Sequence, residues 1–339
     1  MKPFAALLIL LFSPCGATAQ FYAGKTITLI SGASGGYDTF GRVLAQHMGK
    51  HIEGHPHIVV RNMPGAASMV AANYLYNVAP PDGLTFGVFV RSIATAPLFG
   101  DKAAKYAPEK FTWIGTSSTY LDDAYSLMVR KDRGVNTLDD LRSRPPLRLG
   151  STGPSAEGDI GSRVIADVLG IEFKMVRGYQ GTPNVAMAVE QGEMDGMMLG
   201  LTSIQTFRAE WLKPDSPVRF LVQFGYGGAG RHPAIADVPR IDEFARTDEA
   251  RAIFKLMQMG YRIARPFAAP PGVPADRAKI LRDAFMATHK DPAYLEDARK
   301  AGLDISPANG EEVARVVSEA VQLPPALVKR YADILAKGE

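Results

Sequence analysis

Four short stretches gather glycine with hydroxyl side chains just after apolar or β-rich runs. They are Ser31-Gly32-Ala33-Ser34-Gly35-Gly36-Tyr37-Asp38, Met63-Pro64-Gly65-Ala66-Ala67-Ser68, Ser151-Thr152-Gly153-Pro154-Ser155 and Gly178-Tyr179-Gln180-Gly181-Thr182. Glycine lets backbone come close to a ligand. A loop entering a helix offers unpaired N–H groups at the positive end of the helix dipole. Ser34, Thr39, Ser68, Ser151, Thr152, Ser155 and Thr182 add hydroxyl donors. Uncharged donors suit reversible capture of an anion, because they bind it without the deep trap of a buried ion pair. The same residues also serve ordinary turns and caps. Their recurrence in four places is what points to a cleft.

Single residues extend this reading. Arg91, just after the third apolar run, is the candidate for a bidentate clamp on a carboxylate, with Arg177 a weaker one. Tyr37 and Tyr179 stand in the loops, where a ring could cover a ligand. Asp38 is a candidate contact that also suits the start of a helix, with Arg42 four residues on as its surface partner. Asp195, in Gly192-Glu193-Met194-Asp195-Gly196, is expected to fix a cleft loop.

Two catalytic alternatives are weighed. Gly32-Ala33-Ser34-Gly35-Gly36 fits the G-x-S-x-G elbow of a serine hydrolase. A triad would also need an acid and a late histidine, and His232 and His289 are the only histidines after His57. The elbow falls almost at the mature N-terminus, which argues against it. His47, His51, His55 and His57 cluster, but the second pair flanks Pro56 in a turn, so a structural cluster is expected. No metal or other cofactor is expected.

The loops need a frame. Thr26–Ile30, Ile58–Val60 and Thr85–Val90 read as strands, with Tyr37–Lys50 and Met69–Val78 as helices between them. The alternation returns with strands at Leu147–Gly150 and Lys174–Val176 and helices at Asp159–Leu169 and Pro183–Gln191. Two parallel α/β domains follow, and ligands of such sheets bind beyond the C-terminal ends of the strands. Tyr125–Val129 and Tyr261–Arg265 are the expected links, and Ala275–His289 and Pro292–Ala301 are helices returning to the first lobe. The expected division is residues 21–126 with 263–339 as lobe 1, and 127–262 as lobe 2. Two crossings permit a hinge.

Bulk properties agree. The 339 residues suit two domains, with 46% hydrophobic and 22% charged residues. Lys plus Arg is 38 against 35 for Asp plus Glu, which argues against a broadly basic nucleic-acid binder. Lys2, the apolar Phe4–Phe12 and Ala17-Thr18-Ala19 read as a signal peptide cleaved after Ala19, residues 1–19 in all. Cys15 lies inside it, so the mature chain would have no thiol. A periplasmic monomer is expected.

Five stretches carry a resemblance: SGGYDTFGRVLAQHMGKHI from Ser34, NMPGAASMVAANYLYNVAPPDG from Asn62, GYQGTPNVAMAVEQGEMDG from Gly178, ADVPRIDEFA from Ala236 and ARPFAAPPGVPADR from Ala264. In this order, behind an export signal, they resemble the extracytoplasmic receptors of tripartite tricarboxylate transporters, the Bug family. The resemblance implies a type II periplasmic-binding-protein fold that closes on its ligand. It implies a carboxylate held by backbone N–H groups, hydroxyls and water at Ser34–Asp38, Gly65–Ser68, Ser151–Gly153 and Gly178–Thr182. It also implies an integral-membrane permease as partner and no catalysis. A receptor presenting its closed form to a signalling protein is a further alternative. The first loop is one residue shorter than in many members and gains Tyr37, and the second has Ala66-Ala67 where many carry more glycine. Di- or tricarboxylates are expected first and aromatic carboxylates second, since Tyr37 and Tyr179 could stack on a ring.

Overall fold

The computed structural model describes residues 21–119, 123–154, 156–225 and 230–337. The expected signal peptide and Ser155 lie outside them. The first sheet contains β1 (Thr26–Ser31), β2 (His57–Asn62), β3 (Thr85–Val88) and β4 (Thr112–Thr116). The second contains β5 (Ala124–Arg130), β6 (Leu147–Gly150), β7 (Phe173–Val176), β8 (Gly196–Gly200) and β9 (Val218–Gly225). The chain then returns to the first sheet through β10 (Pro266–Ala269) and β11 (Ala308–Asn309). The helices in chain order are α1 (Gly36–Met48), α2 (Met69–Asn77), α3 (Glu157–Leu169), α4 (Thr182–Glu190), α5 (Leu201–Phe207), α6 (Asp248–Met259), α7 (Ala275–Thr288), α8 (Pro292–Lys300), α9 (Gly310–Val321) and α10 (Pro325–Ala336).

Strand order is β11-β4-β10-β3-β1-β2 in one sheet and β7-β6-β8-β5-β9 in the other. β1 runs parallel to β2 and β3, and β6 runs parallel to β7 and β8. The sheets are not wholly parallel, as expected from the sequence, but mixed. β10 inserts antiparallel between β3 and β4, and β5 lies antiparallel to β8 and β9.

Alternation along each strand feeds two layers of core. In β1, Leu29 packs with Phe40, Phe86, Phe267 and Phe285, whereas the next residue, Ile30, packs with Met69, Phe89 and Trp113 on the opposite face. In the second lobe, Leu127 joins Leu149, Val164 and Phe224, and Met128 joins Val185, Leu199 and Trp211. Helices therefore cover both faces of each sheet.

Three details correct the sequence reading. Tyr125–Val129 is no link but part of β5, an inner strand of the second sheet, so the crossing lies before it, between Thr116 and Ala124. Tyr261–Arg265 is not extended: residues 260–263 form a 3-10 turn, and the strand starts at Pro266, where a missing N–H is tolerated. The expected first lobe does not hold all of 263–339. α7, α8 and α9 pack on it, but α10 packs on α3 and α6, with Tyr331 and Ile334 in the second lobe's core. The chain thus passes between the lobes a third time, between α9 and α10. No helix among the described residues is long and apolar enough to cross a membrane.

Candidate functional site

The C-terminal ends of β1, β3, β6 and β8 face one another across a cavity of about 550 Å³. All four glycine- and hydroxyl-bearing loops reach it. From the first lobe it is lined by Gly32, Ala33, Ser34, Gly36 and Tyr37, and by Pro64 through Ser68. From the second lobe come Ser151, Thr152, and Tyr179 through Thr182. Its size lies in the ordinary range for small-molecule sites.

Local structure explains each loop. Gly35 has φ 78, so the chain turns into α1 through a conformation open to glycine, and a Cβ there would stand 3.2 Å from Thr182 Oγ1 across the gap. The second loop is stranger. Gly65, Ala66, Ala67 and Ser68 have φ of 143, 44, 50 and 71 in succession. Left-handed alanine and serine are uncommon and strained. Ser68 pins the run: it is fully buried, and its Oγ accepts from the Val90 N–H at 3.1 Å. In the second lobe the Ser151 hydroxyl accepts from the Gly153 N–H at 3.2 Å, closing a small turn. Thr182 opens α4.

The lobes already touch. The Ser34 hydroxyl donates to the Gln180 carbonyl at 3.3 Å. Tyr37 Oη donates to Glu157 Oε1 at 2.7 Å, and the Arg91 N–H donates to the same oxygen at 3.1 Å. Glu157, the first residue of α3, therefore reaches from the second lobe to the first.

Two charged side chains line the cavity among the described residues, Arg265 and Glu157. Arg265 is 3% exposed. Its guanidinium lies 4.6 Å from the Tyr37 ring centre and 5.2 Å from that of Phe40, and donates to the Ala264 carbonyl at 3.0 Å. Asp123 is buried behind it and accepts from the N–H groups of Ala124 and Thr202 at 2.8 and 3.1 Å. Burial pushes the Asp123 carboxyl up, while Arg265 and the Thr202 hydrogen bonds pull it back. The body of the cavity is apolar, with Val90, Tyr125, Val185, Met197, Met198 and Leu199, and Asn184 and Ser203 add polar edges.

Several candidates fall elsewhere. Arg91 is 4% exposed but lies outside the cavity wall: its guanidinium covers Tyr261 at 4.0 Å and Tyr125 at 4.8 Å, with Nε 3.8 Å from Glu157. Asp195 is a second correction. It sits just before β8, at the end remote from the cavity, and pairs with Arg148 at 3.2 Å and Arg133 at 3.0 Å. Asp38 turns away to Arg42 at 2.7 Å, the helix-surface pair that its spacing suggested. Gly35 and Gly153 shape their turns without lining the cavity. Arg177 is held by the buried Asp159 at 2.8 Å.

Glu157 and Arg265 are the residues that sequence reasoning missed. The third loop expected from the sequence ends at Ser155, two residues before Glu157, and Arg265 falls in an expected link. Its place beside Pro266, where a chain re-enters a sheet, was the only available sign.

The catalytic alternatives do not assemble. Ser34 bonds a carbonyl, while His289 is buried against Ser117 Oγ at 2.9 Å and Tyr294 Oη at 3.1 Å. His232 caps the turn at residues 233–235 through Nδ1. His47 and His51 face Asp297 and Asp291, each at 2.9 Å.

The model of the tripartite tricarboxylate transporter family receptor, TctC, matches residues 40–332. A UPF0065 protein in the TAR-I ttuE-ttuC' intergenic region of Agrobacterium vitis is 27% identical, over 93% of this chain and 90% of its own. A second UPF0065 protein, in the gbd 5' region of Cupriavidus necator, is 24% identical over 98% and 95%. Among solved structures, the periplasmic binding protein BugD superposes with a TM-score of 0.72 at 19% identity, covering 92% of this chain and 98% of its own. MatC from Rhodopseudomonas palustris, with bound malate, gives 0.69 at 20% identity, with 92% and 99% covered. These likenesses give the two-lobed periplasmic-binding-protein fold. The chain belongs to the tripartite tricarboxylate transporter family of receptors, and it is a solute-binding protein, not an enzyme.

Proposed function

We propose that this receptor captures a small organic carboxylate in the interlobe cavity, in the periplasm, and presents the closed form to an integral-membrane permease. One observation carries the reading. Hydroxyl-bearing loops from two lobes converge on a single cavity that also holds a buried arginine. The N–H groups of Gly65–Ser68 and the Arg265 guanidinium supply the positive side, and Ser34, Ser151, Thr152 and Thr182 supply hydroxyls. The carboxylate lies against the loops, and the apolar wall of Val185, Met197 and Leu199 covers the body of the ligand. Family relatives support the class: solved neighbours carry adipate and malate.

Export depends on residues 1–19, with cleavage after Ala19. Hinge motion uses the three crossings, before β5, before β10 and between α9 and α10. Of the interlobe hydrogen bonds described, the one from Ser34 to Gln180 is neutral and worth about 1 kcal/mol net, and the two that end on the Glu157 carboxylate are worth somewhat more. Ligand contacts to both sides then shift the population toward the closed form.

A thermal-shift screen of the mature protein against organic acids tests this. Binding at a hundred times Kd stabilises by about 2.7 kcal/mol, which raises the melting temperature by several degrees. A dose-dependent rise with at least one carboxylate, absent with its amide, is expected. Equal rises with acid and amide would refute the anionic reading.

A further inference from the structure

Glu157 sits in a place where a carboxylate is unexpected. Among the described residues the rest of the cavity is polar uncharged groups and apolar surface, with Arg265 as its lining cation. Yet Glu157 contributes a carboxylate from the second lobe and engages two donors of the first, Tyr37 Oη at 2.7 Å and the Arg91 N–H at 3.1 Å. Arg91 Nε stands 3.8 Å from the same oxygen. A hydroxyl, a backbone N–H and a nearby guanidinium form, on the first lobe, a donor set suited to a carboxylate.

We propose that Glu157 is a specificity-determining residue: a built-in carboxylate that fills a second anion position, so that the receptor prefers ligands with one carboxylate over those with two. The proposal rests on the carboxylate reading above and narrows it. Two effects act together. The donors that would receive a distal carboxylate are already engaged. A distal carboxylate that reached this wall would also meet a like charge in a site shielded from water, where such juxtapositions are strongly unfavourable. The first ligand carboxylate remains matched to the loops and Arg265.

The test uses full-length mature protein and isothermal titration with matched pairs: hexanoate against adipate, and benzoate against terephthalate. Wild type is expected to bind the monoacid of at least one pair about tenfold or more tightly than its diacid. Glu157→Gln keeps the shape and an acceptor oxygen but removes the charge. It is expected to strengthen diacid binding about tenfold while moving the monoacid less than about threefold. Glu157→Ala, which also removes the acceptor that Tyr37 and the Arg91 N–H share, should strengthen the diacid by at least as much, and it replaces the first variant if that one fails to fold. An unchanged ratio in both variants, or a wild type that already prefers the diacids, would overturn the proposal. If none of these four binds wild type, a matched monoacid and diacid pair built on the best acid of the thermal screen takes their place; if that screen yields no acid, the carboxylate reading itself fails, and the proposal falls with it.

Discussion

The two walls of the cavity are made differently. The first lobe offers strained backbone. Four successive residues, Gly65 to Ser68, have positive φ, and three of them carry side chains. Left-handed backbone costs such residues roughly 1–2 kcal/mol each. The run persists because Ser68 is locked to Val90 and because the N–H groups of Met69 and Ala72 bond back to Ala66 and Ser68. The second lobe offers side chains on relaxed backbone. Gly181 is extended, and Ser151, Thr152, Gln180 and Thr182 project from ordinary turns and from the start of α4. Strain in the first wall ties its shape to a few positions, Gly65 and Ser68 among them. The second wall varies residue by residue at little cost. On the proposed reading, the first wall anchors the carboxylate and the second reads the rest of the ligand.

The largest expected effect concerns the frame of the rigid wall. His289 lies in the first lobe's core, where burial pushes its imidazole down to about 4, against a hydrogen bond to the Phe285 carbonyl that pulls it up. The folded protein therefore keeps His289 neutral, whereas the unfolded chain protonates it near 6.5. Its stabilising share is complete above that pH and is lost as pH falls from about 6.5 to about 4, on the order of 3 kcal/mol in all. Urea unfolding across this window should show the slope, and His289→Asn should flatten it. Trp113 and Trp211 report on the first and second lobes separately. If the first lobe yields no earlier than the second, the acid weakness is not where this account puts it.

Arg265→Gln comes next. It removes the charge behind the anchoring wall and should weaken carboxylate binding about thirtyfold, or about 2 kcal/mol. A change under threefold in titration calorimetry would separate the cation from the anchor. Gly65→Ala attacks the strained run itself: a Cβ there would stand 2.8 Å from Val70 Cγ2, at a φ of 143 that alanine avoids. About tenfold weaker binding is expected. Ser151→Ala and Thr182→Val should each cost only about three- to fivefold, and should change the ranking of ligands more than the affinity for any one. Equal losses from both walls would erase the distinction.

Much of this site was legible in the sequence, for a physical reason. Strand-to-helix loops announce themselves through glycine and hydroxyl residues, and all four reach the cavity. What failed was any inference about direction across the gap. A cation just after a strand looked like a clamp, and Arg91 fits that pattern; yet its side chain lies on Tyr125 and Tyr261. The cavity's arginine is Arg265, which stands just before the strand that returns from the other lobe. Asp195 belongs to the far end of β8, because a residue before a parallel strand is a strand's length away from the ligand face. α10 was placed with the wrong lobe because its apolar residues do not say which core receives them. Pairings such as Tyr37 with Glu157, 120 residues apart, have no local signature.

The central claim is that a carboxylate binds between the lobes against the left-handed Gly65–Ser68 run. A crystal structure of the mature protein with the best acid from the thermal screen tests it most directly. The predicted map places the carboxylate within hydrogen-bond distance of those N–H groups, with Arg265 beside it and the ligand body on Met197 and Leu199. A ligand whose carboxylate faces solvent, or that binds outside the cavity with the four loops empty, would contradict it.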